Sequence, residues 1–155
     1  MIQLVRPLQA KDHDALLEVY RQAVLRSTAQ LYTKQQQSAW AMQSESLRAL
    51  LSRGKGFVSC NELDQAEAFS LRYPSDRIAL LYSHPNVQHQ GRGRALLQAI
   101  EQEAENEGVS ILRTEASLIS RSLFEAMGWQ TSWREELRIG GQHFLRFRMH
   151  KHLND

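Results

Sequence analysis

Residues 84–108 read "HPNVQHQGRGRALLQAIEQEAENEG", and this stretch decides the fold class because its character changes at Gly91. Up to Gly93 it is a loop with two glycines one residue apart. From there Leu96, Leu97, Ile100 and Ala104 recur at spacings of three and four. That spacing predicts one apolar face of a helix, and Gly108 is placed to end it in the left-handed conformation. Just before the loop, "RIALLYSHP" (77–85) is short, strongly apolar and closed by a proline. It predicts a central strand rather than a half-exposed one. A strand leading through a glycine loop into a helix gathers amide N–H groups that have no intrahelical partner, at the positive end of the helix dipole. Arg92 and Arg94 add two cations there. The loop therefore predicts an anion site for a phosphorylated ligand, most simply a diphosphate approaching closely at the glycines.

Outward from this centre the chain alternates between two periods. "IQLVRP" (2–7) reads as a first strand closed by Pro7, and "KDHDALLEVYRQAVLRS" (11–27) as a helix with Asp12 or Asp14 as cap. Residues 33–54 suggest one or two more helices with Leu47, Leu50 and Leu51 as the apolar stripe. "GFVSC" (56–60) and "QAEAFSLRY" (65–73) form a strand pair joined by "NELD". After the central helix come a strand "SILRTEAS" (110–117), a short helix "SRSLFEAMGW" (120–129) and two strands flanking Gly140 and Gly141, a hairpin signal. Along the central helix, Glu101 with Glu105 and Glu103 with Glu107 read as a solvated face. The order predicts a single α/β domain over residues 1–155, with a mixed sheet.

Composition narrows the function classes. With 155 residues, 42% hydrophobic and 23% charged, the chain is long enough to bury its own core. A net charge of +2 without a Lys/Arg block argues against nucleic acid as partner. No run of about 18 apolar residues predicts a membrane span. The opening has no apolar signal-peptide core, and the single cysteine, Cys60, cannot close an internal disulfide, so a cytoplasmic location is expected. The six histidines are scattered without a completing carboxylate or cysteine set, and no metal is expected. "GRGRA" lacks the Gly-Lys-Ser/Thr of a Walker loop and the third glycine of a dinucleotide fingerprint.

The spacing that does fit is Gln88-x-x-Gly91-x-Gly93, after "LYSHP" and before "RALLQAIEQEA". With "VRP" at the start and "SLFEAMGW" downstream, the chain resembles the GNAT superfamily of acetyl-coenzyme A-dependent N-acetyltransferases over roughly residues 2–150. "YTKQQQSAW" and "TEASLISRSLFEAMGW" resemble a bacterial group of small acetyltransferases without an assigned acceptor. The resemblance implies a mostly antiparallel sheet flanked by helices with splayed central strands. It implies acetyl-coenzyme A as co-substrate and direct transfer of acetyl, in a ternary complex, to the amine of a small molecule or peptide. A non-catalytic acyl-coenzyme A sensor is the rival, because two usual side chains are missing: Phe124 stands where many relatives have a proton-donating tyrosine, and Ala79 and Leu80 stand where many have a glutamate.

By the same resemblance, Gln88, His89, Gln90, Gly91, Arg92, Gly93 and Arg94 would hold the pyrophosphate. Leu81, Tyr82 and Ser83 would pair with the pantetheine arm, with Phe124 lining the same site. Glu115 is the candidate base, directly or through water, or else an ion-pair partner of Arg113 or Arg121; Glu67 is a weaker candidate. Tyr82 is the candidate proton donor, with Ser117, Ser120 and Ser122 as alternatives that equally suit caps and turns. Tyr32 and Trp40 could wall an acceptor pocket and hold a cationic amine over their faces, or pack in the core. Trp129 reads as core, while Trp133 is open between the two. The last strand, "HFLRFRMH", is read either as a sheet edge pairing across a homodimer or as an ordinary half-buried terminal strand.

Overall fold

Seven strands form one sheet in the computed structural model, which describes residues 4–28 and 30–153. In chain order the elements are β1 (Leu4–Pro7), α1 (His13–Ser27), α2 (Lys34–Ala41), α3 (Ser44–Arg53), β2 (Lys55–Cys60), β3 (Ala66–Arg72), β4 (Arg77–Ser83), α4 (Arg92–Asn106), β5 (Ile111–Ala116), α5 (Arg121–Ala126), β6 (Gln130–Ile139) and β7 (Gln142–His152). The sheet order is β1-β2-β3-β4-β5-β7-β6. Every neighbouring pair is antiparallel except β4 with β5. The α/β class and the central position of β4 agree with the sequence reading, while residues 2 and 3 of the expected first strand lie outside the described residues. Among the described residues no helix is long and apolar enough to cross a membrane.

Each face of the sheet has its own core. On one side Leu16, Val19, Tyr20 and Val24 of α1 and Leu51 of α3 pack on Val58, Phe69, Leu71 and Leu80. On the other, Leu97, Ile100 and Ala104 of α4 pack on Ile78, Leu112, Phe147 and Met149, with Phe124 and Trp129 closing the end. Cys60 lies wholly inside the first core, where burial pushes its thiol up.

Three local expectations change. Asp12 makes no side-chain cap bond at α1; its carboxylate takes Arg6 at 2.8 and 2.9 Å and the Gln9 N–H at 2.8 Å. The acidic side of α4 is partly an anchor: Glu101 accepts Lys151 Nζ at 2.6 Å and Trp129 Nε1 at 3.1 Å, while Glu103 and Glu107 hold the buried Arg72 at 2.7 and 2.8 Å. The last strand is not an edge, because β7 runs between β5 and β6. Its imperfect alternation comes from both faces being apolar in part, Leu145, Phe147 and Met149 toward α4 and Phe144 against Tyr32 and Trp40, and the edge argument for a dimer falls. The hairpin turn does follow the sequence: Gly140 and Gly141 have φ of 54° and 80°, the pair of positive values that a two-residue primed turn demands.

Candidate active site

The site begins where the sheet stops being a sheet. β4 and β5 pair only at Arg77 with Arg113 and Ile78 with Thr114, and beyond these residues no further pairs form between them. β4 also carries a bulge: Leu71 pairs with Leu80 and Arg72 with Ile78, which leaves Ala79 as the extra residue. Plain alternation would put Ile78, Leu80 and Tyr82 on one face. With the bulge, Ile78 and Leu81 pack toward α4 and Leu80 and Tyr82 toward α1. On its β3 side the strand end stays paired, Leu81 with Ser70, Tyr82 with Phe69 and Ser83 with Ala68. On its β5 side the backbone from Ala79 to Ser83 faces a cleft of about 520 Å³. An extended chain laid there meets an open strand edge.

One end of this cleft is the start of α4. Gly91 caps the helix at φ +77°, and His89 beside it has φ +62°. The first intrahelical bond runs from Ala95 N to Gly91 O at 3.1 Å, so the amides of Arg92, Gly93 and Arg94 have no intrahelical acceptor. Arg94 is exposed, lines the cleft and makes no hydrogen bond or ion pair with another described residue. These are the features of an anion cradle.

Two residues expected to touch the anion do other work with their side chains. Arg92 is buried, donating to Ser59 Oγ at 3.0 Å and pairing with Glu67 at 2.9 Å. It is a strut between α4 and the sheet, and its partner Glu67, the weaker candidate for a base, does not line the cleft. Gln88 donates to Ser27 Oγ at 2.8 Å, tying the loop to the end of α1. Gly93 is small because α5 is close: a Cβ there would lie 2.9 Å from Leu123 Cδ2. Gln90 is exposed and outside the cleft lining, whereas His89, Gly91 and Gly93 are within it.

The catalytic candidates divide. Tyr82 lines the cleft and stacks edge-on against Tyr20 at 4.8 Å. Burial pushes its phenol up to about 12, with the Trp40 indole acting the other way. Handing that proton to a thiolate with a reference pKa of ~8.5 is uphill by roughly 5 kcal/mol, so Tyr82 suits a hydrogen-bond donor that keeps its proton. Glu115 also lines the cleft, but Arg77 grips it, Nε at 3.0 and 3.1 Å and a terminal nitrogen at 2.7 Å. Both carboxylate oxygens are thus engaged, and Glu115 could take a proton only by loosening this clamp. The partner is neither Arg113, which pairs with Asp76, nor Arg121, which pairs with Glu125 over the Phe147 ring. Phe124 lines the inner cleft, stacked on Trp129 at 4.9 Å and almost wholly buried. Ser117 and Ser120 bond each other's turn, with Ser117 Oγ accepting the Ile119 and Ser120 amides. That is a structural use, the turn role that the sequence also allowed.

At the other end, Tyr32 and Trp40 do face the cleft. Phe144 of β7 joins them, with ring centroids 5.2, 5.9 and 5.8 Å apart. Burial raises the Tyr32 phenol, whose oxygen accepts the Leu118 N–H at 3.3 Å. Leu137, Ile139 and Arg146 complete this wall. Trp129 is core and Trp133 is exposed, away from the cleft. Sequence reasoning missed Arg77, Phe144 and Arg146 as site residues. The hairpin signal could have found two of them, since the Gly140–Gly141 turn fixes a register pairing Leu137 with Phe144 and Glu135 with Arg146.

A family model described as an acetyltransferase (GNAT) domain matches residues 27–151. An uncharacterized N-acetyltransferase of Escherichia coli K12, YafP, is 29% identical over 147 residues, covering 94% of this chain and 93% of its own. The crystal structure of a GCN5-related N-acetyltransferase from Rhodopseudomonas palustris superposes with a TM-score of 0.91 at 25% identity, over 99% of this chain and 97% of that one. The PaiA N-acetyltransferase of Thermoplasma acidophilum, solved in complex with coenzyme A, has a TM-score of 0.76 at 19% identity, over 98% and 99% of the two chains.

Proposed function

Because the chain belongs to the GNAT acetyltransferase family, we propose that it moves acetyl from acetyl-coenzyme A to the amine of a small molecule or peptide, by direct attack within a ternary complex. The observation that carries this reading is the open inner edge of β4 leading from the bare amides of α4 to a second, aromatic chamber. The pieces fit the co-substrate in kind: amides and Arg94 for a diphosphate, a strand edge for an amide-bearing arm, and an apolar wall of Leu81, Leu123 and Phe124 beside it.

The bound thioester supplies an acetyl group already activated for transfer. Amides of Arg92, Gly93 and Arg94 hold the pyrophosphate, with Arg94 adding an exposed charge. Backbone amides between Ala79 and Ser83 that face the splay donate where negative charge develops on the acetyl oxygen, a role worth several kcal/mol when such donors are preorganised. Tyr82 donates a hydrogen bond toward the departing sulfur while keeping its proton, and the thiolate, weakly basic at its reference pKa of ~8.5, needs no stronger acid. The Arg77–Glu115 clamp keeps the cleft floor rigid. The acceptor attacks as its free amine, already deprotonated by solvent, and the proton still on nitrogen in the tetrahedral adduct leaves to water as coenzyme A departs as thiolate.

Thermal unfolding with acetyl-coenzyme A and a thiol-release assay across amines test the reading together. Ligand at 100 times its Kd adds about 2.7 kcal/mol, which for a chain of this size is a rise of roughly 5–10 °C. No shift at millimolar ligand, or no thiol from any amine in a panel of amino acids, peptides, polyamines and aminoglycosides, counts against it.

A further inference from the structure

The acceptor chamber has a charge imbalance. Cross-strand register puts Glu115 opposite Arg148, Glu135 opposite Arg146 and Leu137 opposite Phe144. By strand alternation these six side chains share the sheet face away from α4. On that face three guanidinium groups meet two carboxylates. Arg77 occupies Glu115. Arg146 and Arg148 both bring Nε to a single oxygen of Glu135, at 2.5 and 2.8 Å. Arg148 otherwise reaches Glu115 only at 4.0 Å. One carboxylate shared by two cations leaves about one positive charge without a partner.

That charge is aimed. Arg146 lines the cleft while Arg148 and Glu135 do not. The terminal nitrogens of Arg146 make no hydrogen bond with any other described residue, since its bond to Glu135 uses Nε alone. Of the cations lining the cleft, Arg92 is matched by Glu67 and Arg77 by Glu115. Arg94 at the anion cradle has no carboxylate partner among the described residues and Arg146 beside Phe144 shares its one carboxylate with Arg148, one at each end. Half-buried guanidinium groups with free donors in a fork are matched by planar anions.

We propose that the acceptor is an amine that also carries a carboxylate, and that Arg146 binds this carboxylate while the Tyr32–Trp40–Phe144 wall takes the acceptor's apolar portion. The inference rests on the transferase reading above. It narrows the expectation that the aromatic pair holds a cationic amine: a di- or tri-ammonium acceptor would meet uncompensated positive charge, whereas an anionic group balances it. Arg146 is then a specificity-determining residue, and Glu135 positions it by holding Nε.

The test uses matched acceptors in the thiol-release assay: amino acids and dipeptides against their carboxamides, with spermidine as the cationic contrast. Losing one charge-assisted contact lowers kcat/KM by about 10- to 100-fold. The carboxylates are expected to exceed the carboxamides by that factor in the wild type, and Arg146→Gln to remove the difference while leaving KM for acetyl-coenzyme A unchanged. Arg146→Lys keeps the charge and should restore part of it. Glutarate, a dicarboxylate without an amine, should inhibit the wild type and not Arg146→Gln. Equal rates for carboxylate and carboxamide, a preference that survives Arg146→Gln, or faster acetylation of spermidine would overturn the proposal while thiol release itself upholds the transferase reading. Absence of acetyl-coenzyme A binding, or of thiol release from every amine, overturns that reading and this one with it.

Discussion

Replacing each loop glycine by alanine separates two physical reasons for a glycine within one short motif. Gly91 sits at φ +77°, and a Cβ added there would meet nothing within 4 Å, so its constraint is the backbone alone. An alanine held in that region costs about 1–2 kcal/mol. Gly93 has no positive φ, and its constraint is Leu123 Cδ2 at 2.9 Å. Carbon atoms prefer about 3.5–4.0 Å, so Leu123 must retreat by roughly 0.6–1 Å. It is half-buried and its end is flexible, so the shift is cheap, and the gain of up to about 1 kcal/mol for alanine over glycine within a helix offsets it.

Gly91→Ala is therefore expected to lose about 1–2 kcal/mol in urea unfolding, or to release the strain by reorienting the amides. In the second case calorimetric binding of acetyl-coenzyme A weakens by about tenfold, the equivalent of 1.4 kcal/mol. Gly91→Asn, which tolerates the left-handed region, should recover much of either loss. Gly93→Ala should fall within about 1 kcal/mol of wild type, and in a Leu123→Ala background should be no less stable than Leu123→Ala alone. If Gly93→Ala proves the more damaging of the two, and Leu123→Ala does not relieve it, the close approach needed at Gly93 is that of a ligand rather than of α5, and the reasoning fails.

Arg94→Ala should weaken acetyl-coenzyme A binding by about three- to tenfold, less at high salt, with unchanged unfolding, because its charge is exposed. Arg92→Met should instead cost about 2 kcal/mol of stability in urea unfolding, since it strips a strut from Ser59 and leaves Glu67 unpaired. Glu115→Gln should keep the pH–rate profile rising toward the amine's own pKa, with kcat reduced less than tenfold by a loosened Arg77; loss of that rise would return Glu115 to the role of base. Glu107 is held down to about 2 by bonds from Arg72 and then Lys55. Its contribution is present above the unfolded value of ~4.3 and is lost as pH falls from there toward 2, so Glu107→Gln should flatten the acid limb of stability in that window, as read by melting temperature against pH.

What was legible in the sequence followed from local chemistry. Gly108, Gly140 and Gly141 announce positive φ, and the apolar stripe of α4 needs only its own spacing to be read. What the sequence hid are partners that lie far along the chain. Arg92 looks like a phosphate ligand until Ser59 and Glu67, on strands formed earlier, close around it. Glu115 looks like a base until the parallel pairing of β4 and β5 brings Arg77 to it across 38 positions. The bulge at Ala79 leaves no mark in composition, yet it turns Leu81 and Tyr82 to opposite faces from those a regular strand would give them. The chemistry of the cleft depends on that extra residue: it sets Tyr82 against Tyr20 and Phe69 on the α1 side and Leu81 on the α4 side. The same sequence paired without a bulge would exchange the two. Deleting Ala79 should accordingly restore regular pairing of β3 with β4 while leaving Leu80, Leu81 and Tyr82 on their present faces. Calorimetric binding of acetyl-coenzyme A should therefore survive it, and loss of binding would show that the bend of the strand rather than the facing of these side chains makes the cleft.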